Sequence, residues 1–183
     1  MLLQIRTSRL EMTAATCILA EAELMNRDLF SRLLGAAIPQ QWPPEPLTDA
    51  LPYLLELVRQ KPEWTGWLGW YAVLAKGQDR PLVGSIGFKG PAGPAGIVEV
   101  GYSVLPAYQG IGIATEMLNG ISCWAFAQSG VLKVEAETTP ANQSSRRVLA
   151  KAGFKPIGPG FEPGTLRFRR EAVINSITSP SAL

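Results

Sequence analysis

The stretch Val98–Leu118, VEVGYSVLPAYQGIGIATEML, constrains the fold more than any other part of the chain. An apolar strand runs to Leu105 and stops at Pro106. After a short loop, Gln109-Gly110-Ile111-Gly112-Ile113-Ala114 opens a helix. Glycine lets the backbone turn sharply and approach a ligand closely. The first N–H groups of a helix have no internal partners, and the positive end of the helix dipole lies at them. A strand delivered into such a turn makes an anion site suited to phosphate.

Three readings of this turn stay open on local grounds. The first is a tight strand-to-helix connection with no ligand. The second is a dinucleotide fingerprint, G-x-G-x-x-G, but its third glycine position is Thr115 and no repeated βαβ units follow. The third is a pyrophosphate cradle for coenzyme A, pattern [Q/R]-x-x-G-x-[G/A], which Gln109, Gly112 and Ala114 meet position by position. A Walker loop is excluded, because no G-x-x-x-x-G-K-[S/T] occurs.

The chain has 183 residues and no histidine. That excludes a Ser–His–Asp triad, a Cys–His dyad, HExxH chemistry and His-ligated zinc. Proton transfer falls to carboxylate, Tyr, Ser, Cys, Lys, water or backbone. Cys17 and Cys123 stand far apart in apolar contexts and read as two buried, reduced thiols, so no metal is expected. The net charge is +2 and no Lys/Arg run exceeds two residues, so no nucleic-acid partner is expected. The longest apolar run, Leu68–Ala75, is too short to cross a bilayer, and Arg6, Arg9 and Glu11 spoil a signal-peptide core. The expectation is a soluble cytoplasmic protein with no membrane partner, monomer or homodimer.

Residues 8–14 alternate apolar and polar as a half-buried strand, and Thr16–Leu34 is helical with a break near Asn26–Asp28. Residues 39–46, PQQWPPEP, form a stiff loop around Trp42. Thr48 is expected to cap a second helix with Leu51, Leu54, Leu55 and Val58 on one face. An antiparallel meander follows over 67–76, 82–89 and 97–105, then a helix over 112–128. A strand at 132–137, a helix at 142–152 and strands at 154–157 and 165–169 complete the pattern. One α+β domain over residues 1–173 is expected, with a mobile tail from 174 to 183.

At this point the chain resembles the GNAT superfamily of N-acetyltransferases. VEVGYSVLP looks like that family's central strand. Asn142-Gln143-Ser144-Ser145-Arg146-Arg147-Val148-Leu149-Ala150-Lys151-Ala152-Gly153-Phe154 resembles N-x-x-S-x-x-x-L-x-K-x-G-F of the RimJ/RimL-like branch, and Thr7-Ser8-Arg9-Leu10 resembles its T-x-R-L opening. The resemblance implies a single domain with a central, mixed, strongly twisted sheet flanked by helices. Its two parallel strands, 97–105 and 132–137, would splay into an acetyl-CoA cleft.

The resemblance further implies acetyl-CoA as cosubstrate and an amine as acceptor. The pantetheine arm would pair with free backbone groups of Tyr102, Ser103 and Val104. The pyrophosphate would sit on amides of Gln109, Gly110, Ile111, Gly112, Ile113, Ala114 and Thr115, with Asn142 nearby. Glu99 is the candidate base, against a plain solvent-facing strand carboxylate. Ser145 is the candidate acid, against a small packing residue, because the Tyr of many relatives is Leu149 here. Arg146 and Arg147 are expected on the outer face, toward solvent or the adenosine 3′-phosphate, and Trp42 is a candidate substrate contact. Trp64, Trp67, Trp70 and Tyr71 read as packing. A non-catalytic acyl-CoA binder is the alternative from another class.

Overall fold

The computed structural model describes residues 2–172, so the predicted tail lies outside the described residues. The strands are β1 (Gln4–Arg6), β2 (Leu10–Ala14), β3 (Trp70–Leu74), β4 (Leu82–Phe88), β5 (Ile97–Val104), β6 (Lys133–Thr138), β7 (Lys155–Pro159) and β8 (Leu166–Glu171). The helices are α1 (Cys17–Met25), α2 (Arg27–Leu34), α3 (Glu45–Thr48), α4 (Leu51–Gln60), α5 (Ile113–Phe126) and α6 (Gln143–Lys151). All eight strands join one sheet in the order β1-β2-β3-β4-β5-β6-β8-β7. The pair β5·β6 is parallel and every other pair is antiparallel. This is the α+β, mixed-sheet architecture expected from the element order.

Local chemistry explains most boundaries. The predicted helix break falls on Asn26, which closes α1 and opens α2 by accepting a hydrogen bond from Leu29 N–H at 3.0 Å. The expected cap at Thr48 is not one. Residues 45–48 instead make a helical turn of their own after Pro44, and α4 starts at Leu51 behind Ala50 without a side-chain cap. A proline's fixed φ suits a first helical turn, which is why this loop coils. The short edge strand β1 was not predicted, because three half-exposed residues carry no alternation worth reading.

The sheet separates two cores by strand alternation. On one face, Met117, Leu118, Ile121 and Ala125 of α5 and Leu149 of α6 pack on Leu10, Met12, Trp70, Val98 and Val100. On the other, Leu19 and Ala22 of α1 and Phe30 and Leu34 of α2 cover Tyr71, Val73 and Leu82. Each buried Leu, Ile or Met contributes about 1.5–3 kcal/mol. A surface pair such as Arg59–Glu21, which links α4 to α1 at 2.5 Å, is exposed to solvent and contributes little beside it. Burial therefore decides where α5 and α6 sit.

Trp67, Trp70, Phe88 and Trp124 form one aromatic cluster with centroids 4.8–6.3 Å apart, as the packing reading required. The cysteines differ from expectation. Both are free, Cys17 is half-buried and Cys123 is exposed, because the buried stripe of α5 passes through 117, 118, 121, 122 and 125. Among the described residues no helix is long and apolar enough to cross a membrane.

Candidate active site

The parallel strands β5 and β6 are paired only at Ile97↔Lys133, Val98↔Val134 and Glu99↔Glu135. Beyond Glu99 they part, while β5 stays bonded to β4 and β6 to β8. The fork opens a cleft of about 870 Å³ lined by residues 100–104 of β5, Ala136, Glu137 and Thr138 of β6, the start of α5 and one side of α6. Lys89 N–H donates to Glu99 C=O, and Leu105 N–H to Val83 C=O, so odd-numbered residues of β5 bond to β4. The N–H of Val100 still closes the last parallel pair with Glu135, so alternation leaves the C=O of Val100, the N–H and C=O of Tyr102 and the N–H of Val104 on the open edge. The carbonyl of Val104 is taken by the Gln109 amide at 2.8 Å. Ser103 lines the cleft, but its backbone is turned to β4, not to the open edge where it was expected.

Below the fork's mouth the chain coils once at Pro106–Tyr108 and enters α5 through Gly110 (φ 76°) and Gly112 (φ 87°). Both lie in the left-handed region that disfavours side chains. A Cβ on Gly110 would meet nothing within 4 Å, so that face is open. The first helical hydrogen bond runs from Glu116 N–H to Gly112 C=O, leaving the amides of Ile113, Ala114 and Thr115 without helical partners. Gln109, Gly110, Gly112, Ile113, Ala114 and Thr115 all line the cleft. Ile111 does not, and its exposed side chain points to solvent. These residues fit a phosphate-bearing ligand, since free amides converge on open space at the dipole's positive end.

Asn142 caps α6 by accepting from Ser145 N–H at 3.0 Å and also lines the cleft. Ser145 projects into it, with Oγ 3.0 Å from Tyr102 Oη. Burial pushes the Tyr102 phenol above its usual value, an effect the Ser145 hydrogen bond opposes. Leu149 is fully buried against the main core, so a hydroxyl there would face apolar atoms. Arg147 is exposed and lines the cleft's rim together with Lys151 one turn later.

Glu99 is half-buried at the last paired position before the fork, outside the cleft lining, and its Oε1 lies 2.5 Å from Lys89 Nζ. That hydrogen bond raises the Lys89 ammonium above its usual value. Trp42 stands elsewhere than expected. It is buried in the second core, edge-on to Tyr71, and its Nε1–H donates to Glu23 at 2.8 Å. The Pro-rich loop folds inward because its indole fills the space between α1 and β3. Burial pushes the Glu23 carboxyl up, while bonds from Tyr71 and Trp42 pull it down.

Two residues escaped the sequence reading. Arg9 Nε donates to Glu116 Oε2 at 2.6 Å and Arg9 Nη1 donates to Ile111 C=O at 2.8 Å. Glu116 also accepts from Thr7 Oγ1, Ser8 Oγ and Arg9 N–H. The strut ties the β1–β2 turn to the start of α5. An acidic residue in a helix's first turn was the available signal. Burial pushes the Glu116 carboxyl up, but the bonds from Thr7, Arg9 and Ser8 outweigh it and hold it below the usual range. Glu116→Ala is expected to lower stability by about 2 kcal/mol, roughly one bond to a charged group, because Arg9 is half-exposed and water replaces the remaining bonds. A depressed carboxyl stabilises above its unfolded value and loses that contribution as pH falls through its folded value. Urea melts should therefore show the difference from wild type intact at neutral pH and shrinking in acid. A difference independent of pH would refute the charged strut.

A forked sheet ending at an amide-lined helix start is an architecture with room for an extended, phosphate-bearing ligand. The domain model described as an acetyltransferase (GNAT) domain matches residues 3–155, and the chain belongs to that family, an acetyl-CoA-dependent class of acetyltransferases. The uncharacterized N-acetyltransferase YjdG of Bacillus subtilis is 24% identical over 150 residues, covering 82% of this chain and 88% of that one. The fold is shared with Mycobacterium smegmatis RimJ, solved in complex with CoA-disulfide (TM-score 0.63, 21% identity, 93% of this chain and 87% of that one). It is also shared with the ribosomal-protein-S5-alanine acetyltransferase of Vibrio fischeri (TM-score 0.59, 19% identity, 92% and 96%).

Proposed function

We propose that this protein moves the acetyl group of acetyl-CoA directly onto a primary amine in a ternary complex. The acceptor is a protein N-terminus or a small-molecule amine. One observation carries the reading: the bonding edge of β5 is left open over the reach that ends at the free amides of α5. In this reading Val100, Tyr102 and Val104 bind the pantetheine arm as a strand would be bound. Ile113, Ala114 and Thr115 hold the pyrophosphate, and Arg147 and Lys151 supply positive charge beside it. In the same reading the N–H of Tyr102 stabilises the oxyanion of the tetrahedral intermediate.

The proton balance assigns the remaining roles. The amine nitrogen bonds to the acetyl carbon, the carbon–sulfur bond breaks, and the thiolate leaves. Glu99 takes the proton lost by the amine, through water, since it stands just outside the cleft. Ser145 donates to the departing sulfur. Holding the reactants at the fork supplies much of the acceleration, which accords with a histidine-free site.

The name N-acetyltransferase carried by YjdG supports the reaction type, and the protein N-terminal acceptor is suggested by the Vibrio fischeri enzyme's name. The test is a melting assay followed by turnover. Acetyl-CoA at 100 times its Kd should stabilise the fold by about 2.7 kcal/mol, where NAD and ATP should not. Thiol release should then depend on an added amine or peptide. Binding without turnover across a broad amine panel would establish the acyl-CoA binder instead.

A further inference from the structure

Two hydroxyls meet in the cleft, and only one has a role so far. Tyr102 comes from β5 and Ser145 from α6, elements separated by 43 residues, and their oxygens lie 3.0 Å apart. We propose that Tyr102 is a positioning residue that donates its hydroxyl hydrogen to Ser145 Oγ and so frees the Ser145 hydrogen to point into the cleft. The inference rests on the acetyl-transfer reading above.

A serine hydroxyl has one hydrogen and two acceptor sites, and so has a phenol. Ser145 Oγ has Tyr102 Oη as its one side-chain partner. If serine were the donor, its hydrogen would lie along the line to Tyr102 and be unavailable to a ligand. If tyrosine is the donor, the serine hydrogen is released. The other acceptor near Tyr102 Oη is the Ser145 carbonyl at 3.4 Å, longer than the bond to Oγ. Burial favours the neutral phenol, so the donor is present throughout the neutral pH range. The arrangement is fixed from both sides. Tyr102 stands on a strand bonded to β4, and Ser145 lies in the first turn of α6, anchored by the Asn142 cap.

In the transfer step the Ser145 hydrogen passes to the thiolate. Ser145 regains one from Tyr102 within the same hydrogen-bonded line, Tyr102 regains one from water, and Glu99 returns to water the proton it took from the amine, so none is gained or lost. No other reagent is needed.

The test is a cycle of Tyr102→Phe, Ser145→Ala and the double variant. Phenylalanine keeps the ring and removes only the oxygen. The expected result is a fall in kcat of about tenfold in Tyr102→Phe. The Kd for acetyl-CoA by calorimetry should stay within twofold. Against the Ser145→Ala background the same change should cost nothing further. An unchanged kcat, an equal loss in both backgrounds, or a loss confined to Kd would each overturn the proposal. If the Phe variant does not fold, 3,5-difluorotyrosine at position 102 keeps the shape and lowers the phenol's ionisation into the measurable range. An alkaline fall in kcat that disappears in Ser145→Ala supports the proposal, and its absence refutes it. Wild-type protein that binds acetyl-CoA but releases no thiol with any amine fails the catalytic reading itself, a result distinct from a silent Tyr102.

Discussion

Gly112→Val is expected to abolish acetyl-CoA binding, raising Kd by at least about 100-fold, while the fold survives. Two effects combine. Gly112 has φ 87°, where a β-branched residue is strained by about 1–3 kcal/mol. Its Cβ would also stand 3.3 Å from Arg9 Nη2, crowding the strut that holds the loop. Relief of either effect turns the amides of Ile113 and Ala114 away from the cleft. A loss of two charge-assisted bonds, each about 1.5–3 kcal/mol, corresponds to 100-fold or more in affinity. Calorimetry on the purified variant, with a melt as the fold control, gives the answer. Undiminished affinity would sink the phosphate cradle. Gly110→Val has open space around it, so its defect should come from backbone strain alone and be smaller.

Glu99→Gln is expected to lower kcat by about 100-fold, within the range removed with a general base, and to leave the Kd for acetyl-CoA within twofold. The substitution keeps shape and burial but removes the charge that Lys89 holds at 2.5 Å. The Lys89 ammonium is raised by that bond, so the pair's contribution is complete below the ordinary lysine value and fades as pH rises through the folded one. Lys89 therefore stays charged at neutral pH. A pH–rate profile of Glu99→Gln that overlays wild type would remove Glu99 as the base.

Much of the fold was legible because its signals are local. The alternation of Leu10, Met12 and Ala14 marked β2, and the glycine turn marked the start of α5. The open edge of β5 was legible only through resemblance to a family. No local pattern says where two parallel strands stop bonding. The candidate site was less legible for the same reason. Tyr102 was read for its backbone, but its side chain meets Ser145, a contact between β5 and α6. Arg9 and Glu116 are 107 residues apart in sequence, and neither carries a periodicity that points to the other. Trp42 misled because a proline-rich loop reads as surface, while its indole N–H had a buried acceptor, Glu23, waiting on α1.

The parting of β5 and β6 also bears on how the chain avoids sticking to itself. A strand with unpaired N–H and C=O groups is ordinarily a template for another protein chain, and proteins blunt such edges with charge, proline or cover. Here the unpaired reach lies in the interior of an eight-stranded sheet, with β4 on one flank and β6 carrying β8 on the other. A second polypeptide strand needs about 4.8 Å on each side and room for side chains above and below. The chain's own flanking strands therefore do the covering, and any strand that pairs there must enter through the cleft between β5 and β6.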